Sequence, residues 1–274
     1  QPAEICKITY ILIMASVMSS HQNDISKIPS VMHMVFHLGL LVGLNMVLSG
    51  DAGVSLIFVF IFIGMAFAGG ISLWWFLLAF ACIAVAVPVV WPLLGEYQRE
   101  RIQVLYDPTF DAQGIGARYH SKINLMSLTG GGLTGQGLFN GNRTQGGNLF
   151  AQHTDYIFSS IGEELGFFGC CAVIIMELLI IARCIYVGSR CPDYMRRLVC
   201  YGAASSMMFQ LINVGMCIGV MPVIGLTLPL ISYGGSSVVT IFAMLGLVSG
   251  SYARPQALSH ERYIQPVRSY GLNR

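Results

Sequence analysis

Seven stretches of this chain are long and apolar enough to cross a bilayer, and that limits the fold more than any motif does. They cover about residues 5–20, 31–49, 52–69, 73–93, 156–182, 198–221 and 234–252. A spanning helix needs about 20 mainly apolar residues. The runs are continuously apolar and lack the alternation of barrel strands. Helices are therefore expected, because a backbone amide in lipid must pair within its own segment. Composition agrees: 55% of the 274 residues are hydrophobic and 10% are charged, against about 25% charged in soluble domains. The mean hydropathy is +0.67. The fold class is an all-α polytopic membrane protein with the lipid bilayer as its surroundings. A net charge of +2 points to no other partner, and no nucleic-acid partner is expected. Cys6, Cys82, Cys170, Cys171, Cys200 and Cys217 sit in apolar runs, and no Cys-x-x-Cys pair occurs. Neither a disulfide nor a zinc framework is indicated. The chain opens on Gln1 without a signal-peptide pattern, so an N-terminally truncated fragment is the expectation.

Charge placement orients the segments. If they alternate, one side holds Lys27, Arg183, Arg190, Arg196, Arg197, Arg254, Arg262, Arg268 and Arg274. The other side holds Arg99, Arg101, Arg118, Lys122 and Arg143, all in one loop of about 60 residues, and long loops translocate largely regardless of charge. The first side is thus expected in the cytoplasm. The expected organisation is four helices over 1–93, a large extracellular loop over 94–154, three helices over 155–252 and a cytoplasmic tail over 253–274. A re-entrant outer turn is expected near 222–237, where Pro222, Gly225, Pro229, Gly234 and Gly235 interrupt the pattern.

Glu4, Asp51 and Asp155 then fall on the outer side, with Lys7 one turn inside the first segment. Lys7 is at i+3 from Glu4, so the two can face each other. Ionisable groups near membrane depth usually face a bundle interior or a cavity. A helix-end cap in headgroup water is the plain alternative for Glu4 and Asp51. Residues 95–102 read as a short interfacial amphipathic helix. Residues 129–142 are glycine-rich; they read as a flexible turn or a phosphate cradle, although no Gly-Lys-Ser/Thr follows. Asp155 stands at the mouth of an apolar segment, with Glu163 and Glu164 about two turns further on. Those two glutamates read as buried, with one carboxyl paired to a cation. Gln210 and Asn213 read as inter-helix hydrogen-bonding residues. No Gly-x-Ser-x-Gly elbow surrounds Ser232, so a serine nucleophile is not indicated.

Several stretches together resemble the SEDS family, the RodA, FtsW and SpoVE group of peptidoglycan glycosyltransferases. They are Gln1-Pro2-Ala3-Glu4 with Lys7, Asp51-Ala52-Gly53, and Tyr97-Gln98-Arg99-x-Arg101-Ile102 with Asp107-Pro108. Gly131-Gly132-Leu133-x-Gly135-x-Gly137 and His153-Thr154-Asp155-Tyr156-Ile157-Phe158 through Glu163-Glu164-Leu165-Gly166 follow. Asn213-x-Gly215 and Pro222 through Ser232-Tyr233-Gly234-Gly235-Ser236-Ser237 complete the set. The chain departs from the family pattern at Ala3, at Phe150-Ala151-Gln152 and at Tyr119-His120. The resemblance implies a ten-helix fold, of which this chain would hold the fourth to tenth helices. It implies polymerisation of lipid II at the outer face of the bacterial cytoplasmic membrane, in wall synthesis for cell shape or division, with a class B penicillin-binding protein transpeptidase as partner. Asp155 takes the catalytic role, as general base or as holder of a divalent cation such as Mg or Mn. Lys7, Arg99 and Arg101 become candidates for the leaving pyrophosphate. Glu4, Asp51, His153, Thr154, Glu164, Asn213, Ser232 and Ser236 are the remaining candidate substrate-binding residues. A precursor flippase and a non-catalytic scaffold for a transpeptidase are the competing readings.

Overall fold

The structure is a computed structural model that describes residues 1–90, 92, 99–100, 103 and 118–253. The expected interfacial helix over 95–102, Arg101, Asp107-Pro108 and the tail arginines lie largely or wholly outside the described residues. Among the described residues the chain is helical: α1 Pro2–Ser20, α2 Ile28–Leu48, α3 Ala52–Gly69, α4 Leu73–Val90, α5 Arg118–Gly130, α6 Asn142–Gln145, α7 Ile157–Arg190, α8 Tyr194–Gln210, α9 Ile212–Ile218 and α10 Gly235–Ala253. Six helical segments are long and apolar enough to cross a membrane, α8 and α9 counting as one, while the apolar part of α4, Leu73–Pro88, is shorter.

Two boundaries moved furthest from the expected ones. Helix α7 runs eight residues beyond the expected end, through Arg183 to Arg190. In its basic end, Arg183 sits 5.0 Å from the Tyr252 ring and Arg190 sits 5.4 Å from that of Tyr186. Helix α8 starts early because Asp193 caps it, its carboxylate accepting from Met195 N at 2.9 Å and Arg196 N at 3.4 Å.

Helix α8 is the centre of the bundle, packed against α1, α3, α7 and α10. Its run Gly202-Ala203-Ala204-Ser205-Ser206 is small enough for neighbouring backbones to approach closely. A Cβ on Gly202 would lie 2.8 Å from Ile11 Cγ2, and one on Gly64 would lie 1.9 Å from Ser205 Oγ. Between α1 and the bundle, Lys7 and Glu4 form a buried ion pair at 2.7 Å, with side-chain exposures of 0% and 7%. Glu177, midway along α7, is 2% exposed, and neither of its carboxyl oxygens has a hydrogen-bond partner among the described residues.

The glycine-rich stretch turns as expected at 131–134, and its amides at Gly132, Gly135, Gln136 and Gly137 donate to protein carbonyls. It repairs a broken helix. Gly166 interrupts α7 with φ 70° and ψ −166°. In an unbroken helix the amides of Phe167 and Phe168 would bond the carbonyls of Glu163 and Glu164. Here Phe167 N donates to Gly132 O at 2.9 Å and Phe168 N to Leu133 O at 3.3 Å. The two freed carbonyls accept from Gln136 N at 2.9 Å and Gly137 N at 3.0 Å. The loop inserts as a substitute turn, and glycine is required by proximity. A Cβ on Gly131 would meet Gly162 O at 1.9 Å, and one on Gly135 would meet Glu164 O at 2.1 Å.

The two glutamates lock the insert in place, and their partners are chiefly amides rather than the cation the sequence suggested. Glu163 accepts from Arg143 N at 2.8 Å, Thr144 N at 3.0 Å and Thr144 Oγ1 at 2.6 Å. Glu164 accepts from Phe139 N at 3.1 Å and Gln145 Nε2 at 2.8 Å. Hydrogen bonds to a charged acceptor are about twice as strong as neutral ones.

Two stability predictions follow from this packing. Gly131→Ala should lower the thermal midpoint in detergent by the equivalent of about 1–3 kcal/mol. Gly132→Ala, whose Cβ would meet nothing within 4 Å, should cost only the strain of its positive φ; equal losses would refute the wedge. Glu177→Leu should raise the midpoint, because it removes two buried, unpaired oxygens.

Candidate active site

Between α9 and α10, residues 219–234 form no regular element. A backbone of that kind has amides and carbonyls to satisfy, and much of its pairing falls on His153-Thr154-Asp155. Three consecutive carbonyls each receive a donor from the later part of the chain. Tyr233 N donates to His153 O at 2.8 Å. Ser232 Oγ donates to Thr154 O at 2.7 Å while accepting from Leu228 N at 2.8 Å. Asn213 Nδ2 donates to Asp155 O at 2.7 Å and also to Leu226 O. The peptide that carries Asp155 is thereby held from α9 and from the segment ahead of α10, while its side chain is half-buried.

The second carboxylate of the region, Asp51, caps α3 by accepting from Val54 N at 3.1 Å. Its other oxygen accepts from Gln1 Nε2 at 3.3 Å. Ile224 lies beside Gly53, and Gly225 lies beside Asp155. A Cβ on Gly53 would lie 2.7 Å from Ile224 Cγ2 and 3.3 Å from Asp51 Oδ1, and one on Gly225 would lie 3.8 Å from Asp155 Oδ2. Gly225 has φ +75°, so a side chain here would be strained as well as placed against Asp155.

The structure therefore brings together Asp155, His153, Thr154, Asn213 and Ser232, and places Asp51 at the start of α3 and Ser236 in the first turn of α10. It gives Asn213 and Ser232 the task of positioning backbone. Glu164 belongs to the loop insert. Lys7 is sealed in the bundle against Glu4, so in this conformation it is not presented to a ligand. The Arg99 guanidinium donates to Pro92 O. The His153 side chain is exposed, with Nε2 3.2 Å from Gln152 Nε2.

Comparison with known proteins shows the family. Residues 1–253 match the FtsW/RodA/SpoVE family, described as cell cycle protein. The chain belongs to the FtsW/RodA/SpoVE family. Peptidoglycan glycosyltransferase MrdB of Escherichia coli K12 is 31% identical over 265 residues, covering 94% of this chain and 70% of that protein. A probable peptidoglycan glycosyltransferase FtsW of Xanthomonas oryzae pv. oryzae is 34% identical over 264 residues, with 94% of this chain and 53% of that protein covered. Among solved structures, a chain of a peptidoglycan synthase complex that coordinates polymerization and crosslinking superposes with a TM-score of 0.76 at 31% identity, covering 97% of this chain and 71% of that one. The rod shape determining protein RodA of Thermus thermophilus superposes with a TM-score of 0.63 at 27% identity, covering 94% and 67%. Like these relatives, this FtsW/RodA/SpoVE member is a multi-pass membrane protein.

Three contributors were not legible beforehand. Cys217 Sγ lies 3.7 Å from Asp155 O and 3.6 Å from Asn213 Oδ1. Asn124, fully buried on α5, donates to Cys217 O at 3.1 Å. Gly225 faces Asp155 as described above. Only Gly225 carried a signal, a glycine between two prolines. Asn213→Ala should lower the thermal midpoint by the equivalent of about 1–3 kcal/mol, the cost of leaving buried carbonyls without a donor. Asn213→Asp should be at least as damaging, since it sets a carboxylate against two carbonyl oxygens. A stable Asn213→Asp protein would overturn the positioning role.

Proposed function

We propose that this chain is a peptidoglycan glycosyltransferase that polymerises lipid II, the undecaprenyl-pyrophosphate-linked disaccharide peptide, into glycan strands. The relatives' names support the activity, and the held carbonyls of His153, Thr154 and Asp155 are the observation that carries it onto this chain. A carboxylate on a backbone fixed at three successive points is pre-organised, and positioned groups are what proton transfer requires.

In the reaction, the acceptor sugar's 4-hydroxyl attacks the donor's anomeric carbon. Asp155 takes the hydroxyl proton as the new carbon–oxygen bond forms. The bond from the anomeric carbon to the pyrophosphate oxygen breaks, the electron pair leaves with undecaprenyl pyrophosphate, and the configuration inverts. The charge of the leaving group needs a counter-ion. Lys7 is paired with Glu4, so Arg99 and Arg101 of the loop remain the candidates, and bidentate contact favours arginine. A divalent cation such as Mg or Mn, if bound, would be held by the Asp155 carboxylate together with the substrate's phosphates, as such ions commonly bind through one or two carboxylates and substrate phosphates. It would supply charge neutralisation at the departing pyrophosphate. No group of three or more His, Cys, Asp or Glu side chains suited to a metal occurs among the described residues.

The distribution of basic residues supports the bacterial cytoplasmic membrane with Asp155 on the outer face, where lipid II is polymerised. The solved relative in a synthase complex supports a class B penicillin-binding protein transpeptidase as partner. Asp155→Asn, with Oδ1 and shape retained but no base, should lower glycan-strand formation from lipid II by at least about 100-fold. The readout is polymer length on a gel, with the thermal midpoint as the folding check. Undiminished polymer from a folded Asp155→Asn protein would remove the catalytic assignment and favour a scaffold role.

A further inference from the structure

We infer that the loop insert Leu133–Phe139 is a membrane-embedded wedge whose apolar tip contacts the acyl chains of the leaflet at the Asp155 end of the bundle. This inference stands apart from the glycosyl-transfer reading. The insert carries large apolar side chains in the open: Leu133 is 65% exposed, Leu138 58% and Phe139 74%. No charged residue occurs from Thr129 to Asn142. A soluble loop rarely shows such a cluster without a partner.

Continuity names the partner. Gly132 O and Leu133 O accept from Phe167 N and Phe168 N, so the wedge adjoins the start of the apolar part of α7. Phe167 and Phe168 are themselves 58% and 63% exposed, and they head the outward stripe of a membrane-spanning helix. Depth agrees. From Gly166 to Arg183, the first basic side chain along α7, is about 17 residues, or roughly 26 Å of helix. The hydrocarbon core is about 30 Å thick. With Arg183 at one boundary, the break at Gly166 sits at or inside the other. Irregular backbone at that depth persists only where protein satisfies its hydrogen bonds, and the four bonds between the insert and α7 supply this.

The tip is also held outward against a cost. Phe139 has φ +61°, a left-handed conformation that costs roughly 1–2 kcal/mol for a residue with a Cβ. The bond from Phe139 N to Glu164 Oε2 at 3.1 Å holds it there. A rigid apolar tip contiguous with a lipid-facing helix anchors the broken segment, and thereby sets the level of Asp155 relative to the headgroups.

The test places a single tryptophan at the tip of the full chain. Trp74, Trp75 and Trp91 are replaced by Phe, and Phe139→Trp and Leu138→Trp are made separately in that background. Each protein is reconstituted in phosphatidylcholine vesicles with brominated acyl chains, and iodide is added as the aqueous quencher. Brominated lipid should cut the emission of both variants at least twofold, with iodide having little effect. Quenching by iodide without quenching by brominated lipid would place the tip in water and overturn the inference. Emission untouched by either quencher would place it in a protein contact and overturn it as well. The Leu138→Trp variant keeps the test decisive if the left-handed position does not accept tryptophan.

Discussion

A backbone that leaves the helical ladder at membrane depth has to find its hydrogen bonds elsewhere in the protein. Two such departures among the described residues lie near Asp155, and the organisation there depends on how each is closed. At Gly166 the amides and carbonyls exposed by the break are taken up by residues 132–137. Ahead of α10 the irregular stretch 219–234 is closed partly onto His153, Thr154 and Asp155. The first closure fixes the loop to α7. The second fixes Asp155 to α9 and to the turn before α10. Both act on the same short region, because α7 begins two residues after Asp155.

The carboxylates divide by what surrounds them. Glu163 and Glu164 are saturated by amide and hydroxyl donors and hold structure. Glu4 neutralises a lysine that is wholly removed from solvent. Breaking such a pair from one side leaves a buried charge and costs far more than the pair contributes, so Glu4 and Lys7 depend on each other within α1. Asp51 serves as a helix cap and a contact for Gln1. Asp155 is held through its backbone, with its carbonyl and those of His153 and Thr154 accepting from Asn213, Ser232 and Tyr233.

Much of this was legible from residue order. Continuous apolar runs identify spanning helices because lipid leaves a chain few alternatives, and Asp155 was visible as a carboxylate at the end of such a run. The i, i+3 spacing of Glu4 and Lys7 foretold their pairing. The role of the glycine stretch was not legible, since Gly131 and Gly135 are required by carbonyls of Gly162 and Glu164, about thirty residues away. Nor was the partner type of Glu163, because a buried carboxylate is equally served by a cation or by amides, and only the packing of α6 shows which.

By itself, the sequence determined that this chain crosses a membrane several times, which family it resembles, and where its ionisable groups lie along each segment. Local rules suffice there: the bilayer's thickness and the need to pair every amide act on each segment alone. Only the tertiary structure decided which of those groups serve packing, as Glu163 and Glu164 do by holding the loop. That depends on donors reaching across the chain, as Asn213 and Ser232 reach Asp155 and Thr154. No spacing rule within one helix contains that information.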